Sequence, residues 1–509
     1  MAAGTMVALA ASDGDIDTTD QLVMFEAYQK VFIVNGTNLK IADFTNTKLT
    51  ITALTTAPTR GSTVTQATSG ATMVVDFVSA DKTTVYGYTT AGTFVTTAGY
   101  TLSGGDMAPA TRVPSAVNQA TTTPHWYTWT VHPDSASGSL PDQAYLGCLY
   151  RGRIVLSGNT DYPQQWYMSR QGDHTDFAYV KNDAQSPVAG TNADAGDMGD
   201  IVRALIPYRD DYLIFGCASS IHVLRGDPCA GGSRDLVDGT VGIFGANSWC
   251  FDGDGNLYFW GTAGVYRMDK NFSGVTNLSQ ISIPDLIGDE GADPSTHRVV
   301  MEYDRKRYGL LICVTTLADG TNSNYFFSLN PAALGFFPES YPTVCGVYSS
   351  TYYDATDKDY RDTLVGCTDG YIRKFDDSAK SDDSGASDTA ISSYVLYPII
   401  KMSEDDEEGK LTTLTLELAG GASDGSHSDM DGVTYELFVG DDAETVLEDI
   451  KDGATSAVTG TLTGTGRKAR IRQKLRGAYL GIKLSNSTSS ETFVINKITG
   501  VITPAGRIR

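Results

Sequence analysis

The sequence has no run of about eighteen apolar residues, so no helix of it is expected to span a membrane. Positive charge is in short supply. Against 61 Asp and Glu stand only 38 Lys and Arg, a formal net charge of −23. Gripping nucleic acid over a whole surface needs clustered cations, so that class is excluded; an acidic wall can still line a conduit along which DNA passes without sticking. Histidine is scarce. His125, His132, His174, His222, His297 and His427 form no HxH or HExxH pattern, and no zinc site is suggested. The seven cysteines form no CxxC pair; Cys148, Cys217, Cys313 and Cys367 follow or sit inside apolar runs. They read as small buried hydrophobes in a reducing compartment. Met1-Ala-Ala-Gly-Thr5 lacks a basic n-region, so no secretory signal is expected, and the chain reads as soluble and made in a cytoplasm. No Gly-x-Ser-x-Gly elbow occurs, and the Gly-rich segments precede no helical pattern, so nucleophile and phosphate-loop readings fail.

What the chain has in quantity is short strands and turns. Asp211-Tyr-Leu-Ile-Phe-Gly216, a gap, then Ile221-His-Val-Leu224 is a hairpin signature. Asn256-Leu-Tyr-Phe-Trp-Gly261 with Gly264-Val-Tyr-Arg-Met268 repeats it. The same unit occurs at Lys30–Gly36 with Leu39–Phe44, where Asn35-Gly36 marks the turn. It recurs at Arg153–Gly158 with Gln165–Ser169, at Tyr308–Val314 with Tyr325–Leu329, and at Thr363–Cys367 with Gly370–Phe375. Spacings of about 45 to 60 residues with several strands per unit are a propeller-blade signature. A single blade cannot cover both its faces, whereas blades packed radially cover one another. The expectation is an all-β chain with a β-propeller of about six blades over 21–50 and 113–380, and a seventh blade can hide around His125–Val131.

Three further segments are set apart by composition. Residues 1–20 read as an N-terminal arm. Sixteen of residues 51–110 are Thr, and 51–112 are assigned to an inserted small β-domain, with strands at Thr72–Val78, Thr83–Tyr88 and Gly92–Thr96. Residues 376–393 form an acidic low-complexity linker, and 394–509 hold enough strands for a β-sandwich. Charge in that last domain is polarised. Residues 401–460 carry sixteen Asp or Glu against three Lys, and 461–509 carry ten Lys or Arg against one Glu. Arg467, Lys468, Arg470, Arg472, Lys474 and Arg476 are the core of the basic set. The two sets can pair within the domain, or meet head-to-tail between neighbours in a ring.

Other candidate chemistry is thin. Phe251-Asp-Gly-Asp-Gly-Asn256 resembles half a calcium loop but lacks the later Glu, and it reads as a turn; Asp354–Asp359 is similar and weaker. Asp173-His174-Thr175-Asp176 reads as a turn before Phe177. No catalytic, cofactor or metal residues are therefore assigned.

Tyr150-Arg-Gly-Arg-Ile-Val-Leu-Ser-Gly158, Pro163-Gln-Gln-Trp-Tyr-Met-Ser169 and Gly172–Phe177 resemble a phrase of the tail nozzle (tail tubular) proteins of short-tailed bacteriophages. So do Ile206–Gly216, Gly242-Ile-Phe-Gly245, Gly264-Val-Tyr266, and the C-terminal Gly477-Ala-Tyr479 with Pro504-Ala-Gly-Arg507. The resemblance covers 20–50 and 125–509 and not the Thr-rich insertion. It implies a structural virion protein without catalysis, a subunit of a hexameric ring in the virion tail, assembled in the host cytoplasm. Such a ring continues the DNA ejection channel below the portal and adaptor, touches tail fibres or a needle, and is gated distally. Two rival expectations stand beside it. One is a receptor- or carbohydrate-binding propeller using Trp126 and Trp129 as a platform. The other is a propeller hydrolase or lyase with a metal near Asp252 and Asp254.

Overall fold

The computed structural model describes residues 16–507 except 18, 120–123, 135, 180–182, 377, 386–387, 405–406, 419–431, 463–467 and 490. The chain divides into two units. The first holds Met1–Leu317, Ser323–Glu339 and Ser349–Arg361; the second holds Ala318–Asn322, Ser340–Tyr348 and Asp362–Arg509.

The first unit is all-β and propeller-like, built from five four-stranded sheets, each running in chain order. The first sheet is Val23–Ala27, Lys30–Asn35, Asn38–Asp43 and His125–Thr128. The second is Leu146–Tyr150, Arg153–Ser157, Trp166–Met168 and Val188–Ala189. The third is Val202–Tyr208, Tyr212–Cys217, Ile221–Arg225 and Ser233–Asp238. Trp249–Phe251, Leu257–Gly261, Gly264–Met268 and Val275–Asn277 make the fourth. His297–Asp304, Gly309–Thr316, Asn322–Ser328 and Gly335–Glu339 make the fifth. The hairpins expected from the sequence are the two middle strands of each sheet.

Both faces of these sheets are buried, which is why their middle strands read as unbroken apolar runs rather than alternating ones. Leu213 and Phe215 face the second sheet, in one cluster with Val155, Trp166 and Met168. Their neighbour Ile214 faces the fourth sheet, with Leu257, Phe259 and Met268. The next cluster joins Trp260 and Val265 to Val299, Met301 and Ile312 of the fifth sheet. A fourth joins Phe32, Val34 and Ile41 of the first sheet to Ile154 and Leu156 of the second. Each large side chain so buried contributes on the order of 1.5–3 kcal/mol, and successive sheets hold one another in place.

Three expectations are corrected within this unit. The segment at His125 is not a seventh blade. It is the outer strand of the first sheet, in register His125↔Asp43 and Tyr127↔Ile41, so the insertion interrupts a sheet between its third and fourth strands. The inserted domain is larger than 51–112. Its six-stranded sheet runs Leu102–Ser103, Thr63–Gln66, Thr72–Val78, Thr84–Ala91, Thr47–Thr50, Ala116–Asn118. Leu49 sits with Val64, Met73, Val75, Val85 and Phe94 in that domain's own core, which draws 47–50 out of the propeller. Gly92–Thr96 is not a strand: Gln66 Oε1 takes the Val95 amide at 2.9 Å, and Phe94 is buried as a plug.

The sixth repeat is shorter. Its hairpin, Asp362–Cys367 with Ile372–Lys374, belongs to the second unit. The expected acidic linker contains a second hairpin, Ser381–Asp383 with Asp388–Ala390. Beyond it lies the β-sandwich. One sheet orders Ser393–Leu396, Tyr479–Asn486, Thr434–Gly440 and Val458–Thr461, with Ile400–Lys401 also on Tyr479–Asn486. In the other, Lys468–Ile471, Leu475–Gly477 and Ile495–Arg507 all pair with the long strand Glu407–Leu418. Leu437, Leu480, Ile482 and Leu484 of one sheet meet Leu411, Leu414, Leu416, Ile471 and Leu475 of the other. A helix unforeseen in the sequence, Ala443–Lys451, covers the outer face of the first of these sheets.

Candidate functional site: a charge-divided sandwich

The basic residues singled out in the sequence lie on one side of the sandwich. Ile471 and Leu475 point into the core, so by strand alternation their neighbours point out. Lys468, Arg470, Arg472, Lys474 and Arg476 are all exposed. Arg467 lies outside the described residues. Both basic strands run along one edge of Glu407–Leu418, with Lys468 opposite Glu417, Arg470 opposite Thr415 and Arg476 opposite Lys410. Along the other edge Lys497 also stands opposite Glu417. Among the described residues only Arg476 of the basic set is in an ion pair, with Glu408. Lys468, Arg470, Arg472 and Lys474 have none. Among the described residues the carboxylates nearest this face are Glu408, paired with Arg476, and Glu417, opposite Lys468 and Lys497.

The opposite side of the domain is acidic, and the helix is the reason. Asp442 caps it, taking the Thr445 amide at 2.7 Å and its hydroxyl at 2.9 Å, with the Asp442 carboxyl held below its usual range chiefly by the first of these bonds. Val446 and Ile450, four apart, pack on Phe438, Leu396, Ile399 and Tyr479. The room comes from Gly481, where a Cβ would meet Ile450 Cδ1 at 2.7 Å and Val446 Cγ1 at 2.9 Å. With that face turned inward, Glu444, Glu448 and Asp452 form an exposed stripe, joined by exposed Asp441. The sequence held a signal for this: an Asp cap followed by apolar residues at helical spacing. It was hidden inside an acidic segment.

A second group of charges is buried in the first unit and ties the insertion to the sheets. Lys30, 1% exposed, pairs with Asp76 of the inserted sheet. Asp76 also accepts from Arg60 Nη2 at 3.1 Å and Asn46 Nδ2 at 2.8 Å, and Arg60 reaches Asp173 of the second sheet's loop at 3.5 Å. Burial opposes ionisation of Asp76, but the cations around it outweigh burial and hold its carboxyl well below the usual carboxylate range. Beside them His174 is fully buried against Phe32 and Phe77, its ring nitrogens without partners; burial pushes its pKa well down, so it is neutral. Asp173 is a turn acceptor, taking the Thr175 amide at 2.8 Å and hydroxyl at 2.7 Å.

The tempting metal loop is likewise a turn. Asp252 Oδ1 accepts from the amides of Asp254 and Asn256, both at 2.9 Å, and Oδ2 accepts from Asn256 Nδ2 at 2.7 Å and the Tyr258 hydroxyl at 3.1 Å. The carboxylate is fully engaged in joining Trp249–Phe251 to Leu257–Gly261. The Trp126/Trp129 platform is not available: Trp129 is 2% exposed, its Nε1 donating to the His174 carbonyl at 2.8 Å between Phe32 and Phe177. Two cavities, of ≈ 270 Å³ beside Leu39, Trp129 and Val131 and ≈ 220 Å³ beside Phe25, Leu205 and Trp249, have no Asp, Glu, His, Lys or Arg in their walls. Six cysteines are buried and Cys229 is half-buried, and none of the seven is in a disulfide among the described residues. Burial pushes the Cys217 thiol up to about 12, far from a nucleophile's range.

No family profile matches the chain, and no curated protein matches it. Similar solved structures share the β-rich architecture at very low identity. One is PorZ, described as a surface component of the type-IX secretion system of Porphyromonas gingivalis: 10% identical, TM-score 0.31, covering 98% of this chain and 60% of that one. Another is the extracellular domain of a putative one-component system from B. thetaiotaomicron: 10% identical, TM-score 0.31, covering 94% and 62%. A third is a protein of unknown function from Bacteroides caccae: 11% identical, TM-score 0.26, covering 50% and 81%. This chain thus spans less than two thirds of the first two, and scores of this size carry no argument about activity.

Proposed function

We propose that the chain is a structural subunit of a ring-shaped phage tail nozzle, a conduit that continues the DNA channel below the portal and adaptor. The observation that carries this reading is the division of charge across the sandwich. A basic row, with ion pairs among the described residues only at Arg476, faces out on one side and an acidic helix on the other. A domain with unlike faces makes heterologous contacts, and heterologous contacts that close give rings. The sequence phrases resembling tail nozzle proteins support the same reading, as does the net charge of −23, which favours a wall that repels phosphate and lets DNA slide. No catalytic role, cofactor or metal is part of the proposal. The rival receptor-binding reading loses its aromatic platform with Trp129 in the core.

Electron microscopy of the concentrated protein tests it. Rings with an open lumen are expected, together with no retention of duplex DNA in a mobility assay at physiological salt. Discrete monomers at every concentration, or tight DNA binding, would overturn it.

A further inference from the structure

Resting on the ring reading, we infer that the partner of the basic sheet face is the acidic stripe of the Ala443–Lys451 helix on the neighbouring copy. Within one domain the two cannot meet, because the helix covers the outer face of one sheet and the basic row lies on the outer face of the other. Their spacings match. Alternate residues of a strand stand roughly 6.8 Å apart, so Lys468 and Arg470 stand at that pitch, and exposed Arg472 follows just beyond the strand's end. Residues four apart on a helix stand roughly 6 Å apart along its axis, which sets the pitch of Glu444, Glu448 and Asp452. Three cations and three carboxylates can therefore run side by side in register. Among the described residues Lys468, Arg470 and Arg472 make no ion pair, Glu417 being the cross-strand neighbour of Lys468, and the stripe is exposed throughout, so each face has charge that the other can complement. Lys451 is the one cation on the helix and sits at its C-terminal end, where it complements the helix dipole. Contacts of this kind are exposed and therefore screened by salt.

Two charge-reversed variants test this. K468E/R470E/R472E reverses the sheet face, and E444K/E448K/D452K reverses the helix. All six positions point away from the core, and circular dichroism checks that both variants fold. At low ionic strength each variant alone is expected to assemble at least tenfold less well than the original chain. An equimolar mixture is expected to recover assembly, because the reversed sheet of one then meets the reversed helix of the other. Rings from either variant alone would overturn the inference while leaving the ring reading intact. So would a mixture that stays unassembled. If the basic-face variant assembles normally but loses a weak affinity for duplex DNA, the face serves a polyanion instead and the inference fails. If the unaltered chain forms no assembly under any condition, the ring reading itself fails.

Discussion

Replacing Asp76 by Leu removes the only carboxylate among the described residues in ion-pair contact with Lys30, a lysine 1% exposed, and leaves the Asn46 amide without its 2.8 Å acceptor. Stripping one partner from a buried pair costs about 3–5 kcal/mol. Unfolding entropy of roughly 2 cal/mol/K per residue over the first unit makes each kcal/mol worth a little over one degree, so its melting transition should fall by about 4–7 °C. Lys30→Met should do similar damage. The double variant, Lys30→Met with Asp76→Leu, should lie closer to the original than either single change, because a well-packed apolar pair is often as stable as the ionic one. Scanning calorimetry at neutral pH on all four proteins closes the cycle. The pH dependence has a definite sign. The Asp76 carboxyl is held below its unfolded value of about 3.9, so its contribution is complete above that pH and is lost as pH falls further. The gap between the original and Asp76→Leu should therefore narrow below about pH 4. Single changes that shift melting by less than about 1 °C, or that simply add in the double variant, would refute the reasoning.

Asp252→Ala should cost about 1–3 kcal/mol by freeing the Tyr258 hydroxyl and two turn amides, and the melting temperature of the original protein should be the same in calcium and in chelator; a calcium-dependent rise would restore the metal reading. Gly481→Val should loosen the Ala443–Lys451 helix, at a cost of about 1–3 kcal/mol for overpacking against Ile450 and Val446, seen as faster amide exchange confined to that helix and its sheet. In native protein a thiol reagent should modify Cys229 at most, with all seven cysteines reacting after unfolding; rapid native labelling of several would contradict the burial described.

The repeated hairpins were legible because their turns carry Gly at the needed positions and their strands are apolar on both faces. The first strand of each sheet was not legible, and its turns explain why. Val23–Ala27 joins Lys30–Asn35 through Tyr28 and Gln29, both with positive φ, at 51° and 61°. That is the backbone of a tight hairpin turn, made by residues that give no Asn-Gly or Gly-Gly signal. The Asn35-Gly36 signal was real but one residue out: Asn35 still pairs with Asn38, and Gly36, at φ 64°, takes the first loop position. In the sandwich the basic row could be read from spacing alone. That it faces outward could not, since that depends on Ile471 and Leu475 setting the strand's inner face. The buried Lys30–Asp76–Arg60 cluster gave no sequence signal at all: its members are 16 and 46 residues apart and meet only through tertiary packing.

The measurement closest to the central claim is the mass of the purified protein in solution across a range of salt concentrations. A closed ring predicts one discrete species at low salt, near six times the monomer mass, that falls apart to monomer as salt is raised. A monomer at all salt concentrations and up to high protein concentration would contradict it.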